Sequence, residues 1–332
     1  MAFKQVGTTT LNTMSGASKP YVMDAAGIAS GQAFLTSELE KRDMLVRTPL
    51  TSFTYSRDIP VRVGGGWAEF VSAMNVGYGL TGGSGDGMIG SGSADGIPMV
   101  QADFGKDLWK THAIYAGTRV FWIDMQKGNM TGRNIDTLLR DGLRVAYDKH
   151  MDENVYAGFA KYGTTGLMNN ADVTITSATG NFSALTPDQI LADINNAILT
   201  AWAAAGYDLD AVPNHILLPY QQYNYIATTR VSQIAEKTIL TFLLENNVAK
   251  NYGVDLFIGA TAWCAGAGAG GTDRMVTYCN KERFIAVDEL VPLTRAMTTP
   301  NAERFSYDTA YAGNVSETEV FYPETILYTD GI

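Results

Sequence analysis

Residues 134–159 constrain the fold of this chain more than any other stretch of its sequence. Their apolar side chains recur at steps of three and four positions, and charged side chains fill most of the positions between them. Such spacing places the apolar residues on one side of a helix. The stretch therefore predicts one long amphipathic helix, roughly 39 Å in length at about 1.5 Å per residue. The core of this helix is predicted to consist of Ile135, Leu139 and Leu143.

The first turn and the middle of this helix carry their own signals. Asn134 can accept hydrogen bonds from the first turn, and Asp136 lies where the helix dipole favours a carboxylate. Gly142 falls inside the helix and costs about 1 kcal/mol relative to alanine. Because most helical stability comes from tertiary packing, we expect the rest of the chain to hold this helix in place.

The composition limits the function classes that fit. The chain has 332 residues, of which 46% are hydrophobic and only 17% are charged. About a quarter charged is usual, so much of the surface is expected to face other protein. The net charge is −10 and no cluster of lysine and arginine is visible, which argues against tight wrapping of nucleic acid. The sequence has neither a signal-peptide core nor a run of eighteen apolar residues, so we expect a cytoplasmic protein without a membrane span.

Cysteine and histidine residues do not form a recognisable site. Cys264 and Cys279 lack the paired spacing of zinc ligands, so we expect reduced, buried thiols and no metal site. His112, His150 and His215 lie outside the motifs of zinc proteases and serine hydrolases. We expect each of these histidines to be structural or solvated.

One glycine loop matches a nucleotide-binding pattern. Residues 266–271 read GAGAGG and fit G-x-G-x-x-G after a predicted strand. A dinucleotide site requires a helix to begin there, whereas residues 275–279 have the character of a strand. A glycine-loop nucleotide-binding enzyme is therefore a distant alternative, and no catalytic or cofactor-binding residue is assigned. The adjacent carboxylates Asp152 and Glu153 are expected to be solvated, because neighbours on a helix point in different directions.

The first third of the chain predicts an arm and a projecting hairpin. Residues 1–31 are rich in small polar residues and predict an extended arm, and residues 32–42 predict a short helix. Residues 53–63 predict a strand, with Pro60 favouring an edge position. Residues 64–96 contain twelve glycines in 33 residues and are followed by a predicted strand at 110–123. Together these segments predict a long hairpin with a glycine-rich tip, and residues 125–132 are expected to turn the chain into the long helix.

The remainder predicts helices followed by strands. One helix is expected to run from Thr186, its N-cap, to Gly206, with Pro187 at the first helical position. Two more are expected at residues 220–229 and 231–247. Strands are expected at residues 173–176, 215–218, 255–263, 274–279, 284–287, 305–310 and 319–328. This order of elements predicts an α+β fold rather than a regular βαβ alternation.

Four stretches carry a family resemblance: FLTSELEKRDMLVRTPL, IPVRVGGGWAEF, VYAGFAKYGTTGLMNN and FYPETILYTDGI. With the order of arm, hairpin, long helix and terminal strands, the chain resembles the major capsid proteins of tailed bacteriophages, which have the Hong Kong 97-type fold. The subfamily looks close to encapsulin-like shell proteins. The resemblance implies an N-terminal arm at 1–57, an E-loop hairpin at 58–128, a P-domain with its spine helix at 129–185, and an A-domain at 186–280. Residues 281–332 would be C-terminal strands that return to the P-domain.

The resemblance also implies a function. The chain would be a non-enzymatic subunit, without a cofactor, that assembles into hexamers and pentamers of an icosahedral phage head around double-stranded DNA. It would be assembled in the host cytoplasm and reside in the virion, where it encloses the genomic DNA without sequence-specific binding. Portal, scaffold and decoration or cement proteins would be its partners. An encapsulin-like protein compartment is the alternative within the structural class.

The segments expected to cross neighbouring subunits supply the candidate contact residues. In the arm and hairpin these are Phe34, Leu35, Trp67, Phe70, Lys106, Trp109 and Lys110. Some members of the family join lysine to asparagine between subunits. Lys106 and Lys110 lie in the hairpin, but no asparagine partner or activating carboxylate is evident in the sequence. We therefore expect contacts between subunits to be non-covalent.

Overall fold

The computed structural model describes residues 52–81, 99–131, 134–232 and 237–332. The predicted arm and short helix, with Phe34 and Leu35, and the tip of the predicted hairpin lie outside these residues. The described part mixes helices and β-sheets, so the predicted α+β class is confirmed.

The described residues form the following elements. The α-helices are α1 (Tyr55–Asp58), α2 (Trp122–Thr131), α3 (Ile135–Tyr156), α4 (Pro187–Ala204), α5 (Tyr220–Thr228), α6 (Ile239–Glu245) and α7 (Val248–Asn251). The strands are β1 (Val61–Val63), β2 (Phe70–Thr81), β3 (Met99–Phe121), β4 (Thr174–Ser177), β5 (His215–Leu218), β6 (Phe257–Ala260), β7 (Arg274–Tyr278), β8 (Ile285–Glu289), β9 (Val291–Asn301), β10 (Ser306–Ser316), β11 (Glu319–Val320) and β12 (Ile326–Asp330).

Helix α3, called the spine helix below, confirms the long helix that the sequence predicts. The Asn134 side chain accepts hydrogen bonds from the backbone N–H groups of Asp136 and Thr137, at 3.1 and 3.4 Å. The helix is buried most deeply at its C-terminal end, where Met151 and Val155 are fully enclosed. Toward its N-terminal end the predicted core residues, Ile135, Leu139 and Leu143, are only half-buried in the single chain. The spine helix therefore has a buried end and a partly uncovered end.

Three sheets organise the described strands, in the orders β1-β8-β11, β2-β3-β10-β9 and β4-β12-β7-β5-β6. Strand β3 belongs to the hairpin at one end and to the body at the other. Its first half pairs with β2, and from Thr111 to Phe121 it pairs with β10. The predicted return of the C-terminal strands is divided among the sheets: β9 and β10 extend the hairpin sheet, whereas β12 lies between β4 and β7. The domain boundary at residue 281 stays a prediction.

Two apolar clusters form the core. One surrounds helix α4, whose residues Ile190, Ile194 and Ile198 pack against helices α5 and α6 and the five-stranded sheet. The other surrounds the C-terminal end of the spine helix and includes Tyr156 and Tyr278. Helix α4 begins as predicted, with Thr186 at the cap and a reciprocal contact from Gln189. Strong local signals therefore predicted the helices that line both clusters.

Several predicted elements differ from those observed. Residues 53–63 form α1 and the short strand β1 instead of one strand, because the Asp152 carboxylate accepts hydrogen bonds from the backbone N–H groups of Thr54 and Tyr55. Strand β1 does lie at a sheet edge, as Pro60 suggested. Within the predicted helix 231–247, the described α-helix is α6, which the Thr238 side chain caps. The expected turn at 125–132 is helical over its described residues, as part of α2.

Candidate assembly surface

The hairpin formed by β2 and β3 has two chemically different faces. In an antiparallel pair, residues directly opposite each other point to the same side of the sheet. One face carries large apolar side chains, and we call it the apolar hairpin face. Its large apolar members are Phe70, Met74, Val76, Tyr78, Val100, Phe104 and Leu108. Their exposed fractions range from 41% for Val76 to 78% for Tyr78.

The opposite face of the hairpin is mainly polar or carries small residues. Asn75 and Asp107 lie near each other there and form a side-chain hydrogen bond. Most of the other positions on this face are glycine, alanine, aspartate or glutamine; Val71, Trp109 and Met99 are the larger apolar members. A solvated hairpin would not need one apolar face, and apolar patches of this kind mark sites of protein association. The asymmetry therefore makes the apolar hairpin face the candidate for contact with another protein.

The apolar hairpin face continues into the body of the protein. Beyond Thr111, residues on the same side of β3 lie beneath the spine helix: Ile114 joins the core cluster there, and Val120 is buried. Residues on the other side, such as Tyr115 at 76% exposure, face outward. One side of a single strand is therefore covered by the spine helix in the body and uncovered in the hairpin.

The predicted contact residues of the hairpin do not all occupy equivalent positions. Phe70, Lys106 and Lys110 lie on the apolar hairpin face, with Phe70 opposite Lys110. Trp67 precedes β2 and is 58% exposed. Trp109 points to the opposite face and packs edge-on against Phe321, with ring centroids 5.0 Å apart. Trp109 therefore contacts its own chain, whereas the others remain available for contact between subunits.

A buried polar network anchors the start of the described chain, and sequence reasoning missed it. Asp152, expected to be solvated, is 7% exposed and accepts a hydrogen bond from Trp263 Nε1 at 2.6 Å as well as from α1. The carboxylate of Asp58 is fully buried and accepts hydrogen bonds from Arg57 and from the Tyr156 hydroxyl. Apart from the pair of neighbours Arg57 and Asp58, these contacts join residues about one hundred or more positions apart, so local spacing carries no signal for them.

Two backbone N–H groups of the glycine loop at 266–271 donate to carboxylates of the same chain. The Gly266 N–H donates to Asp273 Oδ1 at 3.0 Å, and the Ala269 N–H donates to Asp330 Oδ2 at 2.9 Å. Gly268 leaves no room for a side chain, because a Cβ there would lie 2.9 Å from the Asp330 carboxyl carbon. Strand β7 follows instead of a helix. The loop therefore presents carboxylates, which repel phosphate, where a nucleotide site would need free N–H groups.

The histidine and cysteine side chains are packed. Burial lowers the pKa of His215 to about 4, and burial also lowers the pKa of His150, whose ring stacks on Phe159 at 4.4 Å. Cys264 and Cys279 are buried free thiols, as predicted. Burial raises the pKa of Cys279 to about 11, so its reactive thiolate form is suppressed. The described residues contain no cluster of three or more His, Cys, Asp or Glu side chains that could hold a metal ion.

None of the helices in the described ranges combines the length and apolar character needed to cross a bilayer.

The sequence matches the Major capsid protein family over residues 85–332. The capsid of Myoviridae phage XM1 is 18% identical, with a TM-score of 0.76, covering 89% of this chain and 98% of that chain. The capsid of the native GTA particle is 11% identical, with a TM-score of 0.63, covering 93% of this chain and 99% of that chain. A virus-like particle from Pyrococcus furiosus is 12% identical, with a lower TM-score of 0.51, covering 90% and 97%. A comparison with curated proteins found no match.

The fold is that of solved phage capsids, and the family match places the chain in the class of shell-forming capsid proteins. The family match covers about three quarters of the sequence. The chain belongs to the Major capsid protein family, and its fold is the Hong Kong 97-type fold that the sequence predicted. It is a structural protein of a phage virion.

Proposed function

We propose that this chain assembles into hexamers and pentamers that close an icosahedral phage head around double-stranded DNA, and that the apolar hairpin face is its principal contact with a neighbouring subunit. One observation carries the proposal: the hairpin is apolar on one face and mainly polar or small on the other. Burying a large apolar side chain stabilises a contact by about 1.5–3 kcal/mol. Several such side chains, repeated around a ring of subunits, make a contact that is effectively permanent.

Closed shells require one subunit to adopt slightly different contact angles in hexamers and pentamers. A two-stranded hairpin beyond the body can bend at modest cost, because only its root is packed. Trp67 and Phe70 lie next to that root, and we propose that they extend the same contact. Phe34 and Leu35 would contact a second neighbour through the arm.

The remaining partners follow from this role. Portal, scaffold and decoration or cement proteins would complete the head, which would assemble in the host cytoplasm. The net charge of −10 suits a wall that encloses DNA without binding a particular sequence. We propose that the chain has no enzymatic role. Lys106 and Lys110 would act by charge and packing, so denaturing electrophoresis of purified shells should show single subunits and no ladder of multimers.

Electron microscopy of the purified protein tests the role directly. Wild-type protein is expected to form closed shells, and capsomers alone under all assembly conditions would contradict the proposal. Particles isolated from infected cells should contain DNA and a portal vertex. An encapsulin-like compartment, the alternative in the same structural class, would instead contain a protein cargo and lack a portal.

A matched pair of hairpin variants tests the proposed contact. Phe104→Asp places a charge on the apolar hairpin face, where Phe104 is 67% exposed. Gln101→Asp adds the same charge to the opposite face, where Gln101 pairs with Gly79. Both variants should fold, since neither side chain is buried in the single chain. We expect Phe104→Asp to abolish shells and Gln101→Asp to retain them, and equal effects would exclude the apolar face as the contact.

A further inference from the structure

The connection between β1 and β2 begins with three glycines whose backbone is hydrogen-bonded to the body. The Gly64 N–H donates to the Glu289 carbonyl at 3.1 Å, and the Gly66 N–H donates to the Leu290 carbonyl at 3.3 Å. Gly64, Gly65 and Gly66 follow one another with φ angles of +127°, +117° and +71°, a region that other residues rarely adopt. A Cβ on Gly64 or Gly66 would meet no atom within 4 Å. The backbone conformation, rather than crowding, therefore requires glycine at these two positions. Residues 64–66 are called the glycine strap below. They form the first of the two connections, or roots, by which the hairpin joins the body.

The second root lies on β3. Pairing between β3 and β10 ends at Thr111 and Ser316, and the hairpin leaves the body at the next residue, Lys110. The Lys110 N–H donates to Glu317 Oε1 at 3.0 Å, and the Glu317 N–H donates back to the Lys110 carbonyl at 3.2 Å. These bonds hold the backbone of β3 at one point. At the first root, Asn314 Nδ2 donates to the carbonyls of Gly66 and Ala68, at 3.3 and 3.0 Å, and holds the end of the glycine strap in the same way.

Side chains next to the second root make a continuous series of contacts with the body. Trp109 packs edge-on against Phe321 at 5.0 Å and an interplanar angle of 77°. The Arg62 guanidinium lies 5.6 Å from the centroid of the same Phe321 ring. Phe321 therefore has the hairpin tryptophan on one side and a cation from β1 within contact range.

Arg62 is itself held by two carboxylates. Its Nε donates to Asp288 Oδ1 at 2.5 Å, and its Nη2 donates to the buried carboxylate of Glu319. Arg62, Asp288 and Glu319 come from β1, β8 and β11, the three strands of the smallest sheet. The guanidinium is therefore fixed to a rigid part of the body, and through Phe321 it presents a fixed surface to Trp109.

We propose that Trp109, Phe321 and Arg62 form a latch that sets the angle at which the hairpin leaves the body. Aromatic pairs and cation–π contacts at partly exposed sites are individually weak. The latch can consequently open without unfolding the subunit, while the hairpin bends beyond the hydrogen-bonded positions Ala68 and Lys110. The consequence for shells rests on the proposed function: the angle would determine where the apolar hairpin face meets the next subunit.

The angle can be measured in dissociated protein, so the result does not depend on shell formation. Spin labels at Asp103→Cys on the hairpin and Lys149→Cys on the spine helix occupy exposed positions, whereas the native cysteines are buried. Labelled chain is diluted into excess unlabelled chain so that only distances within one chain contribute. The measurement compares distance distributions in the wild type, Trp109→Ala and Trp109→Phe. Tyr115→Ala, an outward-facing aromatic on the same strand, is the matched control.

We expect a narrow distribution in the wild type and in Tyr115→Ala, at least a twofold broadening in Trp109→Ala, and restoration of most of the narrow distribution in Trp109→Phe. Thermal unfolding of the body should be unchanged in all of them. A distribution in Trp109→Ala as narrow as that of the wild type would overturn the latch, as would equal broadening in Trp109→Phe. If Trp109→Ala fails to fold, Phe321→Leu takes its place, because it removes the aromatic ring on the body side of the contact. A distance distribution in Phe321→Leu as narrow as that of the wild type would then overturn the latch.

Discussion

Arg274 and Asp330 form a two-point ion pair inside the protein. Arg274 Nε lies 2.6 Å from Asp330 Oδ1, and Nη2 lies 2.9 Å from Oδ2. The two side chains are only 7% and 8% exposed. Arg274 also donates to the Met168 carbonyl at 2.6 Å, and Asp330 accepts from the Ala269 N–H. The pair thus ties the last strand to β7, to the glycine loop and to the loop behind the spine helix.

Removing one partner of this pair should be costly. Asp330→Ala leaves a buried guanidinium unpaired, and such losses typically cost 3–5 kcal/mol, so we expect about that decrease in the free energy of unfolding. Urea unfolding of dissociated protein measures it. Asp255→Ala is the control, since the carboxylate of Asp255 is exposed and lies 3.9 Å from Lys250. A similar loss in both variants would contradict a special role for the buried pair.

The Arg274–Asp330 pair also makes the free energy of unfolding depend on pH in the acid range. Burial by itself would raise the pKa of Asp330, but hydrogen bonds from Arg274 and the Ala269 N–H hold that pKa below its ordinary value. The folded state therefore favours the ionised carboxylate. Its contribution is present above the unfolded-state pKa of about 3.9 and is lost as pH falls through the lower folded-state pKa. Asp330→Ala should lack this part of the acid dependence.

Glu319 should have the opposite dependence on pH. Its side chain is 0% exposed, and burial, with a smaller effect from Asp288, raises its pKa to about 7 despite the hydrogen bonds from Ser316 and Arg62. The folded state therefore binds the Glu319 proton more tightly than the unfolded state. The resulting stability is present below the unfolded pKa, about 4.3, and is lost as pH rises through about 7.

Glu319→Gln tests this dependence. Raising the pH from 4 to 8 should lower the free energy of unfolding of the wild type by about 3 kcal/mol more than that of Glu319→Gln. Glu282→Gln, at an exposed position, controls for loss of a carboxylate. Parallel pH profiles for the wild type and Glu319→Gln would show that this carboxyl does not titrate as expected.

The two ends of the spine helix should respond differently to truncation. Met151 is 1% exposed, so Met151→Ala should lower the free energy of unfolding by about 2–5 kcal/mol. Leu139 is half-buried in the single chain, so Leu139→Ala should cost about 1 kcal/mol. Thermal or urea unfolding of dissociated protein compares them. A larger loss from Leu139→Ala than from Met151→Ala would show that the N-terminal half of the helix is the more deeply buried half.

Two glycines near this helix should respond in opposite directions to alanine. A Cβ on Gly142, inside the helix, meets nothing within 4 Å, so Gly142→Ala should stabilise the protein by up to about 1 kcal/mol. A Cβ on Gly166 would lie 2.4 Å from the Tyr156 carbonyl oxygen, so the backbone must shift to accept it. Gly166→Ala should therefore destabilise by several kcal/mol. Unfolding measurements on the pair check both signs, and stabilisation by Gly166→Ala would show that the loop relaxes freely.

Local patterns in the sequence were sufficient to predict much of the architecture. The spine helix and its Asn134 cap, the start of α4 at Thr186, the hairpin and the buried thiols all follow from residue spacing and composition. Each of these features depends on side chains that are close together in the chain or on overall hydrophobicity. The family resemblance added the shell-forming role, which residue chemistry alone does not specify.

Tertiary structure decided the features that depend on residues distant in sequence. Asp152 is buried because Trp263 and the backbone of residues 54 and 55 reach it, and nothing in its helical spacing indicates those partners. The sequence predicted a long hairpin with a glycine-rich tip, but the pairing register of β2 with β3 is what assigns their residues to an apolar face and an opposite one. A shift of one residue would reverse every side chain, and the register of a hairpin depends on the geometry of its turn as well as on its hydrophobic pattern. Sequence thus determined the spine helix, the start of α4 and the hairpin, whereas the fold determined which of their faces remain exposed in the single chain.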